Sequence, residues 1–126
     1  MTCLSYPSNQ TNITIPTLGT ASAYPITFTV SGVVTDITDV KVSLSGYSHT
    51  FPGDVGMLLV APDNTSYSLL TGRAGGSNDA LNVNVNLTSY DATVWNGFSA
   101  GTFKNNTTVT NAMAFSAPAP VQFTSG

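Results

Sequence analysis

Charge is what this sequence has least of. Only 7% of its 126 residues are charged, against roughly 25% in an average soluble chain. Glutamate is absent, the six acidic residues are all aspartates, and the formal net charge is −3. The three basic residues are too few to neutralise a nucleic-acid backbone; they are Lys41, Arg73 and Lys104. Nucleic acid is therefore excluded as an expected partner.

Cysteine and histidine occur once each, as Cys3 and His49. A single cysteine excludes a disulfide within the chain, and two such residues cannot form a zinc site of three or four ligands. His49 could be combined with Asp54 and a serine, but the sequence lacks the Gly-x-Ser-x-Gly turn that presents a nucleophile. No spacing among the aspartates favours a catalytic carboxylate pair. We expect no enzymatic activity.

Long apolar runs are also missing. No stretch approaches the 18 or so apolar residues that a membrane-spanning helix needs, so we expect no membrane span. The first ten residues lack the basic start and apolar run of a signal peptide. No window combines helix-forming residues with apolar groups at three-and-four spacing, so no long helix is expected.

Alternation of apolar and polar residues runs through most of the chain, and it is typical of half-buried strands. A more continuous apolar stretch predicts a central strand at Val55–Val60, and Pro62–Asn64 predicts a hairpin turn after it. Short strands separated by turns indicate an all-β fold, an antiparallel β-sandwich or jelly roll. The other predicted strands are Ile26–Val30, Val40–Ser45, Ser66–Leu70 and Asn82–Leu87, with weaker ones at 12–15, 109–115 and 121–124.

Several short motifs occur in a characteristic order. Asp39–Leu44 is followed by His49–Val55, then by Leu58–Pro62 and a glycine-rich loop at Gly75–Asp79. This series resembles the P domain, the β-sandwich that accompanies kexin- and subtilisin-type proprotein convertases and many bacterial secreted proteins. The resemblance covers residues 12–120. It implies a jelly-roll-like sandwich, a location outside the cell and, in many members, bound calcium.

The resemblance divides the chain into an extended arm with a first strand at 1–17, a sandwich core at 18–116 and a Pro-rich tail or final strand at 117–126. The family's closing strands have no counterpart after Pro120. This predicts an open sheet edge, which is a template for a strand from another chain, with residues 1–17 as the donor. The alternative is that residues 121–124 close the sheet within the chain.

Two kinds of binding residue stand out. Oxygen ligands for calcium occur in the predicted loops at Asp54, Asn78, Asp79 and Asp91, where they would equally cap turns through their side chains. Trp95 lies in a predicted loop, which makes it the best candidate for an exposed ring that stacks on sugars. Aromatic side chains of this kind more often fill the core of a sandwich or its ends.

These observations favour a non-enzymatic, extracellular or cell-surface structural subunit that self-assembles into a filament or surface layer through an open sheet edge. A second expectation is a calcium-binding accessory P domain of a larger secreted protease or other hydrolase. A third is a carbohydrate-binding module that uses Trp95.

Overall fold

The structure, a computed structural model, describes residues 4–9, 11–16, 19–32, 39–109 and 113–123. Its contacts divide the chain into two compact units, Met1–Ile37 and Thr38–Gly126. The sequence instead predicted an arm that ends at residue 17. Cys3 lies outside the described residues.

The second unit contains all the strands that the structure assigns. One mixed three-stranded sheet, sheet A, has the order β1 (Lys41–His49), β4 (Ala80–Thr88), β5 (Gly101–Phe103). β1 and β4 are antiparallel, whereas β4 and β5 are parallel. A second mixed sheet, sheet B, has the order β2 (Gly56–Val60), β3 (Tyr67–Gly72), β6 (Asn106–Val109), again with one antiparallel and one parallel pair.

The last described strands form a separate ladder. β7 (Met113–Ala114) pairs antiparallel with β8 (Gln122–Phe123). The predicted strand at 121–124 therefore exists in part, but it pairs with β7 and belongs to neither sheet A nor sheet B. Residues 110–112 and 124 of the predicted strands lie outside the described residues.

The absence of long helices is confirmed across the described residues, where the only helical segment is a 3-10 turn at Pro52–Asp54. The chain is thus essentially all-β, as the alternating pattern predicted. The sequence missed β5 and β6, because both are short and β6 is rich in Asn and Thr rather than apolar residues.

The core draws on both sheets. Trp95, Leu87, Val85 and Leu70 form its fully buried cluster, and the side chains of Trp95 and Leu87 are 0% exposed. Seven partly buried side chains pack against this cluster; they are Val42, Leu44, Tyr47, Met57, Leu59, Val83 and Phe103. Sheets A and B therefore share one apolar cluster.

The alternation along β4 is confirmed by burial. Val85 and Leu87 are buried, whereas Asn84 and Asn86, which alternate with them, lie on the other face beside β1. There Asn86 Oδ1 accepts a hydrogen bond from Ser43 Oγ at 2.6 Å, and Asn84 Oδ1 accepts one from the Gly46 N–H at 3.0 Å. The asparagine face is thus held by cross-strand hydrogen bonds.

Two strand predictions were wrong. Neither 12–15 nor Ile26–Val30 is in a strand, although Ile26–Val30 has the clean alternation of one. Val55–Val60 was predicted as a central strand, but β2 has a partner on one side only among the described strands. Its residues are half-buried: Met57 and Leu59 pack against the buried cluster of the core, and a Cβ on Gly56 would lie 2.8 Å from Met113 Sδ.

Candidate functional site

The unpaired segment Ile26–Val30 is the most unusual feature of the first unit. Its backbone runs without a turn, bend or helical residue, and it has no ladder partner among the described residues. Phe28 is 44% exposed and Val30 is 55% exposed. A strand-like sequence with an apolar face is thus left without the burial that such a pattern ordinarily obtains.

One edge of this segment is nevertheless occupied within its own unit. The Thr27 N–H donates to Asn9 Oδ1 and the Thr27 carbonyl accepts from the Asn9 N–H, both at 2.9 Å. The Tyr6 hydroxyl donates to the Ser31 carbonyl. In an extended chain, residues 27, 29 and 31 direct their backbone groups to one edge, and residues 26, 28 and 30 direct theirs to the other. The structure assigns no hydrogen bond to these backbone groups of Ile26, Phe28 or Val30 among the described residues.

The predicted donor arm, 1–17, has one residue engaged in the same way as Thr27. The Thr14 N–H donates to Ser22 Oγ at 2.8 Å, and the Thr14 carbonyl accepts from the Ser22 N–H at 2.7 Å. The apolar side chains of the arm are less exposed, at 38% for Ile13 and 37% for Ile15, than Phe28 and Val30. This difference in exposure favours Ile26–Val30 over the 1–17 arm as a strand available to a partner.

The outer edge of β1 is the longest open edge among the described strands. β1 has nine residues and pairs with β4 on one side only. Edges of this kind are commonly protected by charge, proline or a bulge. Here the one charged residue is Lys41, and proline is absent.

A bulge interrupts this edge partway along. The register with β4 is regular over Lys41–Leu44 and shifts between Leu44 and Tyr47. Gly46 takes up the extra residue with φ of +67°, a conformation that glycine adopts without strain. β4 shifts in turn before it reaches Ala80, where Asn82 has φ of +48°. Lys41–Leu44 is thus the flat part of the edge.

The candidate calcium ligands lie in loops that the structure brings partly together. The loop at Pro52–Asp54 meets the glycine-rich loop through the Gly53 N–H, which donates to the Gly76 carbonyl at 3.1 Å. However, Arg73 Nη2 lies 3.4 Å from Asp54 Oδ1 and its Nε donates to the Gly53 carbonyl. A guanidinium beside Asp54 supplies the positive charge that a cation would otherwise bring.

The other calcium candidates have separate surroundings. Asn78 donates through Nδ2 to the Gly75 carbonyl at 3.1 Å, and Asp91 Oδ1 accepts the Thr93 N–H at 3.1 Å. Both are therefore turn caps, the alternative that the sequence left open. No three His, Cys, Asp or Glu side chains among the described residues are grouped to hold one ion. Calcium binding stays a prediction.

Asp79 lines an open cleft with His49. The cleft has a volume of about 240 Å³ and is also lined by Ser48, Thr50, Ala80 and Leu81. The His49 Nδ1 accepts the Phe51 N–H at 3.0 Å, so the imidazole holds the start of the loop that leads to Asp54. His49 is thus a hydrogen-bond acceptor for its own loop.

Trp95 is not an exposed ring, and this part of the prediction was wrong. Its side chain is fully buried, and its ring centroid lies 5.9 Å from that of Tyr47 in an edge-to-face arrangement. Trp95 Nε1 donates to the Ser99 carbonyl at 2.9 Å, and the Trp95 carbonyl accepts from Asn106 Nδ2. The loop position suggested exposure, but the loop folds over the core and carries the ring into it. Burial of Tyr47 itself raises the pKa of its hydroxyl to about 12, because the charged form loses contact with water.

Comparison with known proteins adds no family to this description: no family model, no curated protein and no solved structure matches the chain. None of the helices among the described residues is long and apolar enough to cross a membrane. The class that the structure defines is an all-β chain with two mixed sheets. Sequence reasoning missed that Ile26–Val30 is unpaired, because alternation reports the face of a strand and carries no information on its neighbour.

Proposed function

We propose that this chain is a non-enzymatic structural subunit that works outside the cell or at its surface and assembles with copies of itself by strand addition. The observation that carries the proposal is Ile26–Val30, a five-residue apolar-polar alternation without a sheet partner. β1 supplies a long sheet edge in the same chain. A chain with both a donor segment and an acceptor edge can bind copies of itself head to tail.

The acceptor in this proposal is a β-sandwich of the jelly-roll type. Side chains of β1, β4 and β5 from sheet A and of β2 and β3 from sheet B pack on the same buried cluster. Two sheets that cover a single core is the arrangement of a sandwich. A strand added at the β1 edge would widen sheet A by one strand and extend its apolar face.

The strength of one such contact can be bounded. Burying an apolar side chain contributes about 1.5–3 kcal/mol, and each added backbone hydrogen bond contributes about 0.5–1.5 kcal/mol. Association costs roughly 4–15 kcal/mol in lost freedom. One five-residue strand is therefore a weak contact, and we expect assembly that rises with concentration rather than a permanent dimer.

Surface composition supports self-association outside the cell. The net charge is −3 and only 7% of the residues are charged, so electrostatic repulsion between copies is weak. Solubility rests instead on Thr, Ser and Asn. A head-to-tail contact that does not close into a ring builds a filament.

The test removes apolar surface from the segment without removing its strand propensity. Phe28→Thr and Val30→Thr are combined in the full chain, with Leu81→Thr as the control, because Leu81 is the most exposed large apolar side chain at 79%. Sedimentation velocity over a concentration series measures assembly of each protein. We expect the double variant to stay monomeric while Leu81→Thr assembles like the unaltered chain.

Equal assembly by the double variant would contradict the proposal, and so would an unaltered chain that stays monomeric at every concentration. Circular dichroism of each variant checks that the strands of the second unit are retained.

A further inference from the structure

The donor segment has two edges, and the structure shows which one is occupied. Residues 27 and 31 use theirs for Asn9 and Tyr6 within the first unit. The backbone groups of Ile26, Phe28 and Val30 lie on the other edge, where no hydrogen bond to them is assigned among the described residues. The apolar side chains of these three residues share one face of the segment, since side chains alternate along an extended chain. The edge of the donor segment that is open to pairing and the face that carries its apolar side chains are therefore both assigned.

The acceptor follows from a comparison of the four open edges of sheets A and B among the described strands. β5 has three residues and β6 has four, so neither matches a five-residue donor. β2 has five residues, but all of them are apolar and half-buried, so it offers no polar face for Thr27 and Thr29. β1 has nine residues and no strand on its outer edge among the described residues.

The side-chain pattern of β1 fits the donor. Val42 and Leu44 are half-buried and pack on the core, whereas Lys41 and Ser43 are exposed on the other face. A strand added beside them would place Ile26, Phe28 and Val30 in line with Val42 and Leu44. Thr27 and Thr29 would lie beside Lys41 and Ser43, where polar groups face water. The bulge after Leu44 limits the flat ladder to Lys41–Leu44.

We propose that the free edge of Ile26–Val30 in one copy pairs with Lys41–Leu44 of β1 in a second copy. This inference rests on the proposed function and assigns its two contact surfaces. The partner is another molecule of this chain, because the chain leaves a donor and a matching acceptor edge unpaired in the same structure.

Cysteine cross-linking tests this pairing in the full chain. In an antiparallel ladder that places Phe28 opposite Val42, Thr29 lies opposite Lys41. Thr29→Cys on one molecule is mixed with Lys41→Cys on a second, both in a Cys3→Ser background. Directly opposed residues have Cβ atoms about 4.5–5.5 Å apart, which is close to disulfide distance. The matched control replaces Lys41→Cys by Thr102→Cys, which is exposed on β5 at the opposite edge of sheet A. We expect a disulfide-linked dimer when Thr29→Cys is mixed with Lys41→Cys, and no such dimer when it is mixed with Thr102→Cys.

Each other result has a defined meaning. A dimer with Thr102→Cys alone would overturn the assignment to β1 while leaving strand addition intact. Assembly by sedimentation without either dimer would also overturn it. A chain carrying both Thr29→Cys and Lys41→Cys that forms its disulfide only as a monomer would show pairing within one molecule and overturn the choice of partner.

Proline substitutions test the assigned edge of the donor. Proline removes the backbone N–H and is tolerated on a strand where that N–H faces away from the sheet. Thr29→Pro removes an N–H from the edge that faces Asn9, and Phe28→Pro removes one from the free edge. We expect Phe28→Pro to abolish assembly and Thr29→Pro to retain it, with Phe28→Ala as the control for loss of the ring; the reverse order for the two prolines would contradict the edge assignment.

Discussion

Single residues decide how the loops close over the core. Gly97 has φ of +93°, and a Cβ added there would lie 2.2 Å from the Ala74 carbonyl oxygen. The loop that follows Trp95 is therefore in direct contact with the glycine-rich loop. Sequence marks Gly97 as a turn residue but does not indicate which backbone it approaches. The burial of Trp95 was unpredictable for the same reason, since it depends on a contact between two distant loops.

Gly97→Ala should therefore destabilise the protein severely. Overpacking costs about 1–3 kcal/mol, and a left-handed conformation adds about 1–2 kcal/mol for a residue with a side chain. Gly76→Ala is the matched control, because Gly76 lies in the same unit, also has a positive φ of +51°, and a Cβ there meets nothing within 4 Å. Urea unfolding followed by Trp95 fluorescence measures both, and equal effects would show that backbone conformation rather than the Ala74 contact controls stability.

Strands and turns show where the sequence was sufficient. The alternation over Asn82–Leu87 predicted β4, because a strand with one apolar face needs only a core on that side. The same pattern over Ile26–Val30 predicted a strand that the structure does not pair. Pairing depends on a neighbour from elsewhere in the chain or from another chain, and that information is not local. The β2–β3 hairpin was predictable because its turn chemistry is local.

Asp63 holds that hairpin turn and should make it sensitive to acid. Its Oδ1 accepts the Thr65 and Ser66 N–H groups at 2.8 Å, and its Oδ2 accepts the Ser66 hydroxyl. These hydrogen bonds lower the pKa of Asp63 below its ordinary value of 3.8. The bond from the Ser66 N–H has the largest effect, followed by those from the Thr65 N–H and the Ser66 hydroxyl. A lowered pKa in the folded state contributes stability above the unfolded pKa, and that stability is lost as the pH falls through the folded value.

Asp63→Asn keeps an oxygen acceptor but cannot titrate. We expect the unaltered chain to lose more stability than Asp63→Asn between about pH 6 and about pH 3, measured as the shift in urea midpoint. The remaining aspartates titrate in both proteins, so the difference between the two shifts isolates Asp63. Identical shifts would show that these hydrogen bonds do not favour the charged carboxylate.

At the scale of the whole molecule, the contacts divide the chain at Ile37 into two units, and each unit contains one of the two surfaces proposed to pair between copies. The donor segment lies in the first unit and the acceptor edge in the second. An all-β class was predictable from alternation and from the scarcity of helix-forming residues. The resemblance to the P domain stays a prediction. The candidate site was predictable only as an open sheet edge, because hydrogen bonds such as those between Asn9 and Thr27 decide which edge of Ile26–Val30 is occupied.

The native mass of the unaltered chain is the most direct measure of whether its copies assemble. Light scattering after size exclusion, over a concentration series and with negative-stain imaging of the largest species, measures it without any substitution. If copies assemble by strand addition, we expect masses that rise with concentration as multiples of the 13.0 kDa chain, and linear polymers in the images. A mass of 13.0 kDa at every concentration would contradict it and would show that the chain needs no neighbour to cover Ile26–Val30.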